Sequence, residues 1–326
     1  MTTPKLCVLT GPDAPDVLVL IPLKEDFAQE LRSRFSIHYS PDGPKEALLE
    51  SLATVAIRGV VTNGSTGLTA RQMSLLPRLE IICSFGAGYE NVDLAAARSR
   101  GIPVTHAPGV NNNTVADHAL ALMLALSRSL IVVDAAVRAG RWKTSRADRP
   151  TIGGKRLGLL GLGGVGMGIA RRASAFGMTI GYYARHARPD VAWRYFTNPV
   201  ELARHSDYLV AACPGGAATR HLINAETLDA LGPQGRVINI ARGSVVDNAA
   251  LIAALKANRL AGAGLDVIEG EPEIPAELLA LDNVIFTPHM AGRSPEAMQA
   301  QFDLLVANLE ACFSDKPVLT PITPSS

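Results

Sequence analysis

Residues 157–160 read Leu-Gly-Leu-Leu, a short apolar run that breaks at Gly161-Leu162-Gly163-Gly164-Val165-Gly166 and passes into an Ala- and Arg-rich stretch ending near Phe176. Glycines in the pattern Gly-x-Gly-x-x-Gly between a strand and a helix admit few folds. The first permits a tight turn, the second lets the backbone approach a pyrophosphate, and the third lets helix and strand pack closely. The helix that follows points free N–H groups and its positive dipole end at an anion. The turn therefore predicts a parallel α/β domain that holds a dinucleotide through Gly161, Gly163 and Gly166. A glycine-rich turn with no ligand is the other reading, and the strand before it and the helix after it favour the dinucleotide.

The choice of dinucleotide is read about 20 residues further on, where the second strand of such a domain ends. The segment is Tyr183-Ala184-Arg185-His186-Ala187-Arg188. An Asp or Glu there accepts hydrogen bonds from ribose hydroxyls and repels a 2′-phosphate, whereas guanidinium groups attract the phosphate and bind it bidentately. Arg185 and Arg188 predict NADPH over NADH, with NADH as the second option. If they are ordinary solvated loop charges, that preference goes with them.

The rest of the chain supports the same architecture. Short apolar runs alternate with amphipathic ones, as in α/β folds. Strands are expected at 6–9, 55–61, 79–84 and 102–106, then at 157–161, 179–183, 208–212, 237–240 and 262–267. The second group is nearly continuously apolar, as expected of strands covered on both faces. Helices are expected at 23–34, 92–100, 113–129, 166–176, 248–257 and 295–313. Pro108 and Gly109 mark a junction. They give one domain from 1–107 and 290–326 and another from 108–289.

Composition narrows the class. Hydrophobic residues make up 48% of the 326 and charged residues 19%, enough for a large core, and the net charge is +1. That balance argues against a nucleic-acid or membrane-surface protein. No apolar run reaches the ~18–20 residues of a membrane span, and residues 1–9 lack the pattern of a secretory signal. Cys7, Cys83, Cys213 and Cys312 are scattered. No metal site is expected from them, and a reduced, cytoplasmic setting is the simplest reading.

Three further segments follow apolar runs in the second domain: Asn239-Ile240-Ala241-Arg242-Gly243, Gly264-Leu265-Asp266-Val267-Ile268-Glu269-Gly270-Glu271-Pro272 and Thr287-Pro288-His289. Ligands of open α/β sheets bind at the carboxyl ends of the strands, so Arg242, Glu271 and His289 should converge beside the cofactor. Reduction of a 2-keto acid uses that set. Arg242 binds the carboxylate and polarises the keto oxygen, His289 supplies a proton, and Glu271 orients the imidazole. Taken singly, each residue reads as an ordinary surface or strand-end group.

Together with Gly86-Ala87-Gly88-Tyr89-Glu90-Asn91-Val92-Asp93, these motifs resemble the D-isomer-specific 2-hydroxyacid dehydrogenases, especially their glyoxylate/hydroxypyruvate reductase branch, over roughly residues 50–310. The resemblance implies an α/β protein of two doubly wound parallel-sheet domains, a Rossmann dinucleotide-binding domain inserted in a flavodoxin-like substrate domain, with the active site in the cleft. It implies that Arg242 binds substrate, that Glu271 partners the acid/base His289, and that Asp266 holds the nicotinamide carboxamide. It also implies that Gly164, Val165, Arg185, Cys213, Thr219 and the segment Ile240, Ala241, Arg242 line the dinucleotide, and that the N–H groups of Ala87 and Gly88 receive the substrate carboxylate. A plain turn is the other reading of Ala87 and Gly88. The implied partner is a second copy, a homodimer formed through residues 113–150, with Trp142 packing in that arm or touching the neighbouring site.

Two departures bear on substrate identity. Residues 290–296 read Met-Ala-Gly-Arg-Ser-Pro-Glu where many relatives carry a Gly-Ser-Ala-Thr-like run, and the loop after Cys213 lacks the usual Leu-Thr-Pro before Thr219. Arg293 reads equally as a substrate or a solvent contact. The rival function is a non-catalytic dinucleotide sensor of corepressor type. Phosphite or formate oxidation is a further rival, and Glu271 disfavours formate.

Overall fold

The computed structural model describes residues 14–52 and 54–323, so the strand expected at 6–9 lies outside the described residues. The chain divides into two compact units, Met1–Asn111 with Ser294–Ser326, and Asn112–Arg293. Both crossings fall four residues beyond the expected ones. Local hydrogen bonds account for this. The Ala107 N–H donates to the Gly86 carbonyl and stays with the first unit, while the turn after His289 is tied to Asp266 of the second. Ser294 then caps the next helix by accepting from the Ala297 N–H, with Pro295 in the favoured first turn.

The first unit holds a five-stranded parallel sheet. Its strands are β1 (Asp16–Val19), β2 (Ser36–Tyr39), β3 (Ile57–Thr62), β4 (Ile81–Ser84) and β5 (Val104–Thr105), in the order β2-β1-β3-β4-β5. That is the flavodoxin-like order. Successive side chains leave opposite faces of a strand. Val17 and Val19 accordingly pack with Phe302, Leu305 and Leu309 of helix Pro295–Phe313, whereas Leu18 joins Leu49, Val60 and Met73 on the other face. The strands β1 and β2 are additions to the expected set.

The second unit carries β6 (Arg156–Leu160), β7 (Thr179–Tyr183), β8 (Arg194–Phe196), β9 (Tyr208–Ala211), β10 (Arg236–Asn239), β11 (Gly262–Leu265) and β12 (Val284–Phe286). All pairings are parallel, in the order β12-β11-β10-β9-β6-β7-β8. Strand direction of travel reverses between β6 and β9, the switch point of a doubly wound dinucleotide fold. Leu159, Val210 and Ile238 pack under Leu120 and Met123 of helix Asn112–Arg128. Leu160, Leu209 and Val237 face Leu202, Leu228 and Leu251 on the opposite side.

Ser129, in the left-handed region at φ 50°, separates that helix from the next, Leu130–Arg138. Leu130, Ile131, Val132 and Trp142 are exposed there. Among the described residues no single helix is long and apolar enough to cross a membrane.

Candidate active site

The glycine turn sits at the switch point. Gly161 has φ 103°, and a Cβ there would lie 2.7 Å from the Ala212 carbonyl oxygen and 2.9 Å from the Cys213 Cα at the end of β9. A Cβ on Gly166 would run into the Gly161 carbonyl, whereas one on Gly163 would meet no heavy atom within 4 Å. The turn is thus closed by backbone below and open above Gly163. Helix Gly164–Ala175 starts there with no side-chain cap, and Asn112 lies against Gly164 where a side chain would stand. Val165 packs into the core beneath. An open backbone cradle at an uncapped helix start fits a pyrophosphate. We expect Gly161→Ala to destabilise the fold by roughly 1–3 kcal/mol through backbone strain and to weaken dinucleotide binding further through the clash with β9. Thermal denaturation and a fluorescence titration with reduced dinucleotide measure both. Gly177→Ala, at φ 73° with nothing within 4 Å, should lower stability but leave binding unchanged.

Beyond β7 the two arginines differ. Arg188 is committed: Nε and Nη2 bind Asp190 at 3.0 and 2.5 Å, and Nη1 donates to the Leu162 carbonyl in the glycine turn at 3.0 Å. Its hydrogen bond to Asp190 raises the Arg188 pKa, and the same bond lowers that of Asp190. Arg185 is exposed and makes no side-chain hydrogen bond or ion pair among the described residues. The sequence reading counted two cations and missed Asp190, which balances one of them.

Of the other implied cofactor contacts, Ile240 and Ala241 are buried at the end of β10. Cys213 is packed beside the turn, and burial pushes its thiol up to about 11, so it is a neutral wall at pH 7. Thr219 donates its hydroxyl to the Pro214 carbonyl at 2.7 Å within its own loop.

Arg242, Glu271 and His289 follow β10, β11 and β12, and all three belong to the second unit. Asn239, fully buried, builds the first corner. Its Oδ1 accepts from the Ala241 N–H, and its Nδ2 donates to the carbonyls of Arg242 and Val267 at 3.0 and 3.4 Å. A Cβ on Gly243 would strike the 268–269 peptide, and one on Gly215 would lie 2.7 Å from the Arg242 Cγ. Gly243 lets the arginine loop lie directly on the Glu271 loop, and Gly215 lets the loop after Cys213 lie against the Arg242 side chain. Arg242 Nη1 donates to the Ala241 carbonyl at 2.7 Å. The Glu271 loop is fastened from outside by Glu269, which binds Arg220 and His221.

His289 Nδ1 lies 2.5 Å from Glu271 Oε1, and Glu271 Oε2 accepts from the Ile268 N–H at 3.1 Å. A carboxylate only accepts, so Nδ1 carries the donated proton and Nε2 is left to exchange a proton with a ligand. The His289 side chain is 43% exposed. Burial opposes ionisation of Glu271. The hydrogen bond and charge of His289, the Ile268 N–H and the charge of Arg242 outweigh it and hold the carboxyl below the ordinary glutamate value. A lowered folded pKa contributes stability above the unfolded value, about 4.3, and loses it as pH falls through the folded one. The stability gap between the wild type and Glu271→Gln should therefore be full at neutral pH and close in acid below the ordinary glutamate range, as read by thermal denaturation against pH.

His289 has φ 50°, a region a non-glycine residue occupies only when its surroundings hold it there. Asp266, 2% exposed, provides the hold. Its carbonyl accepts from the His289 N–H at 2.8 Å. Its carboxylate accepts from the N–H groups of Met290 and Ala291, each at 2.9 Å, and from the Thr287 hydroxyl at 2.6 Å. Three of roughly four acceptor positions are therefore spent on the turn, a role that the expectation of a carboxamide contact did not include.

Ala87 and Gly88 belong to the first unit. Ser84 Oγ donates to the Gly88 carbonyl at 2.6 Å and His106 Nδ1 lies 3.0 Å from the Ala87 carbonyl, with the Tyr89 ring edge-on to His106. Both carbonyls are pinned, and neither N–H has a partner among the described residues. Ser84 and His106 were not singled out in the sequence. A polar side chain at a strand end was their only signal.

A model of the NAD binding domain of the D-isomer specific 2-hydroxyacid dehydrogenases matches residues 120–291. A glyoxylate/hydroxypyruvate reductase from Arabidopsis thaliana is 44% identical over 307 residues, 94% of this chain and 98% of that protein. A hydroxyphenylpyruvate reductase from Plectranthus scutellarioides is 43% identical over 95% of this chain and 99% of its own. The solved NADPH-dependent glyoxylate/hydroxypyruvate reductase of Sinorhizobium meliloti, in complex with NADP and malonate, superposes with a TM-score of 0.88 at 38% identity, covering 95% of this chain and 97% of that one. With relatives named as reductases across nearly their whole length, the sensor alternative gives way. The chain belongs to the D-isomer specific 2-hydroxyacid dehydrogenase family and is an NAD(P)-dependent enzyme of that family.

Proposed function

We propose that the protein reduces a small 2-keto acid of glyoxylate or hydroxypyruvate type to the D-2-hydroxy acid, with NADPH as reductant. The supporting observation is the pairing of His289 Nδ1 with Glu271 beside the Arg242 loop, which leaves the imidazole Nε2 for a substrate and sets a guanidinium in the same neighbourhood. When bound, the nicotinamide supplies a hydride to the keto carbon. His289 would give its Nε2 proton to the carbonyl oxygen as negative charge develops there, so the keto group would become CH–OH. Glu271 accepts from the Nδ1–H and fixes the ring. Arg242 binds the substrate carboxylate and stabilises the developing oxyanion in place, without reorganising. The N–H groups of Ala87 and Gly88 are proposed as further carboxylate donors.

A panel of glyoxylate, hydroxypyruvate, 2-ketogluconate and hydroxyphenylpyruvate, each run with NADPH and NADH, tests the reading. Fast turnover of the two small acids with NADPH supports it. Turnover of none of the four contradicts it. Since Arg185 is the uncommitted cation and Arg188 braces Leu162, Arg185→Ala should erode the NADPH preference about tenfold, the loss of one charge-assisted phosphate contact, and Arg188→Ala should erode it less. Equal kcat/KM ratios for NADPH and NADH in wild type and Arg185→Ala would refute that assignment.

The homodimer is proposed on the exposed apolar stretch of Leu130, Ile131, Val132 and Trp142, since contiguous exposed apolar surface marks an interaction site. The molar mass in solution by light scattering tests it, and a monomer at micromolar concentration would refute it.

A further inference from the structure

We infer that His118 is a positioning residue for the reaction, acting through Thr287 and Asp266 on the turn that carries His289. This rests on the reading of His289 as the proton donor.

The direction of every hydrogen bond in this chain is fixed by chemistry. Asp266 is an acceptor, so the Thr287 hydroxyl, 2.6 Å from Oδ1, donates its only proton there. Thr287 Oγ1 then has only lone pairs to offer His118 Nε2 at 2.9 Å. The relay runs from His118 Nε2–H to Thr287 Oγ1 and from Thr287 O–H to Asp266 Oδ1, which assigns the proton on His118 to Nε2. The same nitrogen lies 3.6 Å from Asp266 Oδ1. His118 is thus set against a carboxylate that is 2% exposed and that itself holds the backbone of residues 289–291.

Packing brings the ring there. Helix Asn112–Arg128 lies so close to β11 that a Cβ on Gly264 would stand 3.1 Å from the Leu122 Cβ. One helical turn before Leu122 is His118, and two residues after Gly264 is Asp266, just past the end of the strand. The glycine admits the helix, and the helix delivers the imidazole to the strand end where the chemistry sits.

Without the His118 donor the Thr287 hydroxyl is free to rotate away from Asp266, and the left-handed turn at His289 loses one of its restraints. Misplacement of a proton donor lowers the rate of the chemical step more than it lowers ground-state binding.

The test uses the full-length enzyme with NADPH and hydroxypyruvate. His118→Phe, His118→Gln, Thr287→Val, the His118→Phe/Thr287→Val double variant and His289→Ala are compared by single-turnover rate, KM for the keto acid, dinucleotide affinity and melting temperature. His118→Phe should slow single turnover about fivefold, the loss of one hydrogen bond, with KM and dinucleotide affinity within about twofold. His118→Gln, which can still donate to Thr287, should recover most of that rate. The double variant should be no slower than Thr287→Val alone. Should His118→Phe not fold, His118→Gln against Thr287→Val carries the comparison. A native rate in His118→Phe, or additive losses in the double variant, would overturn the inference if His289→Ala is inactive. Near-native turnover in His289→Ala would instead overturn the underlying reading. A loss confined to melting temperature would make His118 a packing residue and also overturn it.

Discussion

His289→Ala should lower the single-turnover rate of keto-acid reduction by about 10²–10⁴, the range for a positioned general acid, with dinucleotide affinity nearly unchanged. The size of the effect follows from the geometry. Nδ1 is occupied by Glu271 at 2.5 Å, so only Nε2 can deliver a proton, and an alanine leaves water as the donor. The residue lies 18 positions from its carboxylate partner in sequence and is held at φ 50°. Alanine at that φ keeps the backbone strain and leaves Glu271 without its imidazole partner, so its melting temperature should fall at neutral pH. His289→Gln, which restores a side-chain donor without a titrating proton, should recover affinity for the keto acid but not the rate. Stopped-flow oxidation of bound NADPH separates the two.

Arg242→Ala should cost about 10²–10³ in rate, as for loss of a preorganised oxyanion contact, and should raise the KM for the keto acid as well. In the proposed reaction the guanidinium acts twice, on the carboxylate in the ground state and on the oxyanion in the transition state. Arg242→Lys keeps the charge but loses the planar fork, so it should recover binding more than rate. The loop around it survives both changes, because Asn239 binds the Arg242 carbonyl and the Val267 carbonyl rather than the side chain. Steady-state kinetics with hydroxypyruvate give both parameters. A variant with altered KM and a native kcat would limit Arg242 to ground-state binding.

The parts of the fold that were legible in the sequence are the interior ones. The strands β6, β7, β9, β10 and β11 are paired on both sides or covered on both faces, and each reads as an apolar run. What the sequence hid lies mostly at the edges. Strands β2 and β8 border their sheets, run only three or four residues and include residues such as His38 and Arg194. The strand β1 is central, yet Asp16-Val-Leu-Val is no more apolar than residues 6–9.

The site divides along the same line. Arg242, Glu271 and His289 stood out because each follows an apolar strand, a position visible locally. Asp190, Asn239, Thr287 and His118 act through partners that only folding supplies. His118 and Thr287 are 169 residues apart, and nothing near either one signals the other. Asp190 lay in plain view two residues after Arg188, but its effect on that charge depends on the rotamers that join them at 2.5 Å.

The most direct measurement is single-turnover reduction of hydroxypyruvate by saturating NADPH in Arg242→Ala, His289→Ala and the double variant. If the two groups act on one carbonyl oxygen, each single variant is slow and the double loses less than the product of the two. A near-native rate in either single variant, with NADPH bound, would contradict the account.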